Sequence, residues 1–306
     1  MRVEVIKVSE LKGHSSSVYC IVPGQNEHHL FSGGGDKVVA EWDMREGIAK
    51  GFSIKLDVQV YALSHIKNAQ LLVIGHGRGG LHVIDLQDKK EIRYLTYHQD
   101  IIFDLKYSEV NNTLYCACND GSITIWDVND FSLIKHIPIC YEKIRSIGLN
   151  PDQSEVAFAC GDGTIRIYST KDHTEKAILK GHESAVNCVI YHPNKNLLVT
   201  GGKDAYLRFW DIERNYEEVR AIPAHNFAIY SLDFSPDRKY VATASRDKTV
   251  KIWDAEKFEM LKRIDRKEFD AHSYSVNKLM WSDYNDYLIT TGDDRKIMLW
   301  SVKEME

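Results

Sequence analysis

The sequence predicts an all-β protein built from seven copies of one four-stranded antiparallel sheet, and three observations carry that prediction. Trp42, Ile84, Trp126, Tyr168 and Trp210 follow one another at intervals of 42 residues, and Trp253 and Trp300 continue the series after 43 and 47. His14, His98, His182, His225 and His272 each precede an aspartate (Asp36, Asp120, Asp204, Asp247, Asp294) by 22 residues and a tryptophan by 28. Within each interval apolar and polar residues alternate with period two, broken by turn-forming groups such as Pro236-Asp237 and Arg246-Asp247-Lys248, and no stretch has the period of a long amphipathic helix.

Taken in order, the chain opens with an alternating segment, residues 3–11, that precedes the first histidine. Seven units follow at about 12–54, 55–96, 97–138, 139–180, 181–223, 224–268 and 270–303, within a single domain spanning 1–306. One such sheet cannot bury both of its faces. Seven stacked around an axis can, leaving only short, protected edges. The last unit stops just after Trp300, on its third strand. Residues 3–11 are therefore predicted to supply the missing strand and close the ring.

Composition bounds the function. The 306 residues are 43% hydrophobic and 27% charged with a net charge of −5, which gives no global attraction to nucleic acid or to an acidic membrane surface. No run is apolar enough to span a bilayer, and the N-terminal stretch "MRVEVIKVSELKGH" lacks the apolar block of a signal peptide. The six cysteines (20, 116, 118, 140, 160, 188) lie mostly in alternating apolar runs, Cys116 and Cys118 as a same-face strand pair. That usage points to a reducing compartment, cytoplasm or nucleus.

The segments "KGHESAVNCVIYHPNKNLLVTGGKDAYLRFWDI" and "PAHNFAIYSLDFSPDRKYVATASRDKTVKIWDA" resemble the WD40 repeat family, and the resemblance extends over the whole chain. It implies a seven-bladed β-propeller, with each family repeat supplying the outer strand of one blade and the inner three of the next. It also implies a hydrogen-bonded tetrad per repeat. Carried over residue by residue, the complete sets are His14, Ser32, Asp36, Trp42; His182, Thr200, Asp204, Trp210; His225, Thr243, Asp247, Trp253; and His272, Thr290, Asp294, Trp300. The third repeat has His98, Asp120 and Trp126, with Cys116 in the hydroxyl position. The second has Leu56, Ile74, Arg78 and Ile84 and the fourth Cys140, Phe158, Asp162 and Tyr168, so both are expected to rely on packing alone. A Ser/His/Asp trio invites a hydrolase reading, but four packed copies of it argue for structure, and no catalytic residue is assigned.

The resemblance further implies binding on the top face, through positions three and five after the histidine slot and the residue before the turn aspartate. These give Tyr19, Gln59, Tyr61, Ile101, Phe103, Lys143, Arg145, Asn187, Lys203, Tyr230, Arg246, Asn277 and Asp293. An aromatic arc is expected to face a basic arc across the channel mouth. Arg78, in the place of a turn aspartate, reads either as a further contact for an acidic partner or as drift in a degenerate repeat. "GHGRGG" looks like a phosphate loop but is followed by a strand rather than a helix. His28-His29 is expected in a solvated turn, and no metal or cofactor is assigned. The extra residues in "RIDRKEFDAH" lengthen a connection. The function expected is a non-catalytic protein-interaction scaffold that takes peptides carrying an apolar anchor and acidic or phosphorylated residues. The alternatives are a reader of modified tails, with Tyr19, Tyr61 and Phe103 as a cage for a cation, and an enzyme or nucleic-acid binder.

Overall fold

The computed structural model describes residues 2–305, so Met1 and Glu306, the ends of the predicted 1–306 span, lie outside the described residues. The fold is a β-propeller of seven blades, each a sheet of four antiparallel strands. The first blade comprises Val18–Pro23, His29–Gly34, Val38–Asp43 and Ile48–Lys55. The second runs Val60–Ile66, Leu71–His76, Gly80–Asp85 and Lys90–Thr96. The third is Ile102–Ser108, Thr113–Cys118, Ser122–Asp127 and Leu133–Pro138, and the fourth Ile144–Leu149, Glu155–Cys160, Thr164–Ser169 and Glu175–Lys180. The fifth is Val186–Tyr191, Leu197–Gly202, Tyr206–Asp211 and Glu217–Pro223, and the sixth Ile229–Phe234, Tyr240–Ser245, Val250–Asp254 and Met260–Ile264. The seventh joins Val276–Trp281, Leu288–Gly292 and Ile297–Glu304 to Val3–Leu11, which pairs with Ile297–Glu304 as its outer strand.

Contacts divide the chain into two compact parts, residues 1–60 with 230–306 and residues 61–229. In the first part the seventh blade packs its inner residues against both neighbours: Trp300, Met298 and Leu279 against Ile252 and Tyr240, and Ile289 and Leu299 against Leu30 and Trp42. In the second part Val73 and Val83 meet Leu114 and Trp126, Tyr115 and Ile125 meet Phe158, and Ile165 and Ile167 meet Leu198 and Trp210. Apolar residues on alternate strand positions therefore fill the interface on either side of a blade, as period two requires. Trp42 and Trp300 are at most 2% exposed, and burying a ring of that size stabilises the fold by about 2–3 kcal/mol.

Two local devices recur. The turn between second and third strands closes with a hydrogen bond from its last residue to a carbonyl three residues back, and that last residue is left-handed in every repeat: Lys37, Gly79, Gly121, Gly163, Ala205, Lys248 and Arg295. The second device is a β-bulge one residue into the first strand, where the register skips Tyr19, Phe103, Arg145, Asn187 and Asn277. The "RIDRKEFDAH" connection holds a one-turn helix, Arg266–Phe269, whose first turn is capped when Asp265 accepts from the Glu268 amide at 3.0 Å.

Candidate interaction surface

The top of each blade is organised by the side chains around the turn. In the first blade His14 Nδ1 donates to Asp36 Oδ2 at 2.8 Å. Ser32 Oγ sits 2.7 Å from His14 Nε2 and accepts from Trp42 Nε1 at 2.7 Å. The same circuit links His182, Asp204, Thr200 and Trp210 at 2.8–3.0 Å, and His272, Asp294, Thr290 and Trp300 at 2.8–3.0 Å. In the sixth, Trp253 donates to Thr243 at 3.0 Å. Each aspartate also accepts backbone amides: Asp204 takes those of Glu183 and Tyr206. Burial alone would raise the Asp204 and Asp294 carboxyls, but the hydrogen bonds and charge of His182 and His272 hold both below their ordinary values.

Three departures from the sequence reading concern this layer. The third blade carries a full clasp: His98 Nε2 lies 3.1 Å from Thr124 Oγ1, which accepts from Trp126 at 2.9 Å. Thr124 stands directly across the ladder from Cys116, so the hydroxyl comes from the neighbouring strand. Sequence offset misses it because register, not offset, decides what reaches the tryptophan. The second blade does not depend on packing alone. His76 donates from Nε2 to Tyr94 at 3.2 Å, accepts the Arg78 amide at Nδ1 at 3.0 Å, and stacks with Tyr94 beside His82. The fourth blade ties Tyr168 and Arg166 to Glu175 at 3.1 and 3.2 Å, with Arg166 also 3.6 Å from Asp162.

The bulges fall on positions that the resemblance assigns to binding. A bulge turns its extra residue out of the ladder, and it falls on the fifth position after the histidine slot. Within residues 61–229 the bulge side chains of Phe103 and Arg145 form a relay with Tyr61, which holds the same position in the second blade. Tyr61 meets Phe103 edge-to-face at 6.1 Å, and the Arg145 guanidinium lies 4.5 Å over the other ring. Arg145 therefore touches the aromatic group instead of facing it across a channel. Ile101 and Lys143, each two residues before a relay member in sequence, are half-exposed, and Lys203 is exposed. Asn187 does not present itself to a partner: it is buried and donates to the Ile229 carbonyl at 2.9 Å, tying one first strand to the next.

In the other part of the chain Asn277 does the same with the Val18 carbonyl at 3.1 Å and also holds Asp293 at 2.8 Å. There Tyr19 and Tyr230 are half-exposed, while Gln59 and Arg246 are exposed. Arg78, in the second blade, is exposed too. Sequence reasoning missed Tyr141, Phe227 and Tyr274, which are exposed in the loops one or two residues after the histidine slot. An aromatic in that loop was the available signal. His28 and His29 are more covered than a solvated turn implies, and they surround the buried carboxylate of Asp43.

In the third blade burial pushes the Cys118 thiol up to about 12 and that of Cys116 higher still. Among the described residues no helix is long and apolar enough to cross a membrane.

The family model for "WD domain, G-beta repeat" matches residues 6–43, 89–127, 132–169, 173–211, 216–254 and 265–301. The chain belongs to this family. Five of the six matched WD repeats begin in or just before an outer strand, the last begins just after one, and all end on the third strand of the next blade. The longest stretch left unmatched, 44–88, holds the first blade's outer strand and the second blade's inner strands, where the histidine, hydroxyl, aspartate and tryptophan are all replaced. The chain is similar to translation initiation factor 3 subunit I of Caenorhabditis briggsae, 27% identical over 56% of this chain and 58% of that protein. It is 30% identical to the U5 small nuclear ribonucleoprotein 40 kDa protein of Dictyostelium discoideum over 40% of this chain and 34% of that protein. Transcription factor unc-37 of Caenorhabditis elegans is 26% identical over 59% of this chain and 29% of its own length. The alignments thus span about half the length, or less, of the proteins they match.

Proposed function

We propose that this WD-repeat protein is a non-catalytic scaffold of the cytoplasm or nucleus that holds partner proteins through the side chains its bulges raise. The observation that carries this reading is the Tyr61–Phe103–Arg145 relay. A rigid aromatic pair next to cationic groups suits a peptide with an apolar anchor followed by acidic or phosphorylated residues. Two of the similar proteins are named as parts of a translation factor and of a ribonucleoprotein, which supports a role within larger assemblies. The reading as a cage for a methylated cation is disfavoured, because Arg145 already lies over the Phe103 face such a ligand needs.

The test compares wild type with the triple variant Tyr61→Ala, Phe103→Ala, Arg145→Glu, both for recovered partners and for binding to an array of acidic and phosphorylated peptides. The variant is expected to lose both by at least tenfold while keeping its melting transition. Equal recovery by the two proteins sinks the proposal.

A further inference from the structure

At the end of the first blade away from its clasp, four side chains converge. His29 is paired across the hairpin with Asp43, and His28 precedes it in the turn. Asp43 is fully buried and fixed: Oδ1 accepts the amides of Arg45 at 2.9 Å and Glu46 at 3.1 Å. Its other oxygen faces His29 Nε2 at 3.6 Å and His28 Nε2 at 3.7 Å, and all three atoms lie within 4.8 Å of one another. These gaps exceed a hydrogen bond, and they approach the roughly 3.3 Å between ligand atoms when nitrogen and oxygen surround a zinc-sized ion at about 2.0–2.1 Å. His29 is also oriented from behind, its Nδ1 donating to Glu41 Oε1 at 2.9 Å. In neutral His29 that bond places the proton on Nδ1 and turns the Nε2 lone pair toward a carboxylate oxygen, which repels unless a cation lies between. A carboxylate behind a histidine is also how metal-binding imidazoles are held.

We propose that His28 Nε2, His29 Nε2 and Asp43 Oδ2 form a site for a divalent transition-metal ion of the zinc class, with Glu41 orienting His29. Two native cations now compete for the same oxygen, Lys50 at 3.2 Å and Arg45 at 3.5 Å. Lys50 can yield, because Glu46 stands 3.4 Å away as its alternative partner. Two imidazoles and one carboxylate leave a coordination position for water. Nothing in the proposed scaffold function requires this site, and it stands or falls separately.

Zinc is titrated calorimetrically into the full chain, and cobalt into parallel samples for its visible spectrum. Two other groups, Cys140 with Cys160 and Asp162, and His98 with Cys118 and Asp120, also place three donors together, so the site is read as the difference between variants. His28→Gln with His29→Gln is expected to remove one equivalent of zinc and a tetrahedral cobalt band lacking thiolate charge transfer. Glu41→Gln is expected to weaken that equivalent by about tenfold. Lys50→Met, which removes the competitor, is expected to tighten it by on the order of tenfold; a purely ionic cluster gains no zinc affinity from this change. Should the double variant fail to fold, His28→Gln alone serves, since it alters a partly exposed side chain. Equal zinc uptake by wild type and histidine variants, or no tightening in Lys50→Met, overturns the proposal.

Discussion

A single hydroxyl shows how residue identity and register trade places. In the first, fifth and seventh blades the clasp hydroxyl is on the second strand, and the residue across the ladder is Ala40, Arg208 or Met298. In the third blade the second strand offers Cys116 and the third strand offers Thr124 at the opposing position. Thr124→Val is predicted to leave Trp126 and His98 without their shared partner and to cost about 1–3 kcal/mol in a urea titration. Cys116→Ser alone is expected to change little, yet in the double variant it should restore at least half of the loss. Failure of that rescue would show that the cross-strand position cannot substitute. His76 provides a second test at this scale. Burial first, then the charges of His82 and Arg78, lowers its pKa from 6.5 to about 4. The unfolded chain then binds more protons between those values, so stability is fully present above about pH 6.5 and is lost as the pH falls toward 4. After allowance for solvent screening the loss is about 2 kcal/mol, and His76→Gln, which cannot titrate, is expected to lack that portion in denaturation curves from pH 7 to pH 4.

At the scale of elements, the blades and their turns were legible because hydrogen-bonding chemistry forces the same letters to recur at the same spacing. Asp36, Asp204 and Asp294 each lie one residue before a left-handed residue and accept a backbone amide two positions on. The second blade was legible only as a gap in the pattern: Arg78 stands in the aspartate's place and His76 takes over the turn. Its slot and turn, residues 55–60 and 77–81, are therefore predicted to exchange amide hydrogens at least tenfold faster than 181–186 and 203–207, where Asp204 holds both segments. Equal protection would show that the His76 network does the aspartate's work in full. The surroundings of the positions expected to bind were only half legible. Alternation marked the fifth position after the histidine slot, but not that a bulge lifts it, nor that Asn187 and Asn277 spend their amides on the next strand's carbonyl. Those bonds depend on how one blade sits against the next, which no local pattern encodes.

At the scale of the whole molecule, the two ends of the described chain meet in one sheet. Val3–Leu11 pairs along Ile297–Glu304, with a shift at Val8, and buries Val3, Val5 and Leu11. Charges reinforce the join: Lys7 reaches the Asp270 carbonyl at 2.8 Å, and Glu10 meets Lys296 at 2.9 Å. Three buried apolar side chains at about 1.5–3 kcal/mol each amount to a large share of the 5–15 kcal/mol by which folded domains are stable. Loss of the strand also bares the ladder edge of Ile297–Glu304, a template for pairing with other chains. Deleting residues 1–11 is therefore predicted to lower the melting temperature by about 10 °C or more and to promote aggregation. A synthetic peptide of residues 1–11 added in excess is expected to restore part of the lost stability by pairing along the same edge. A truncated protein that melts like the intact one and ignores the peptide would show that the seventh blade holds with three strands, and that the pairing of the termini contributes little.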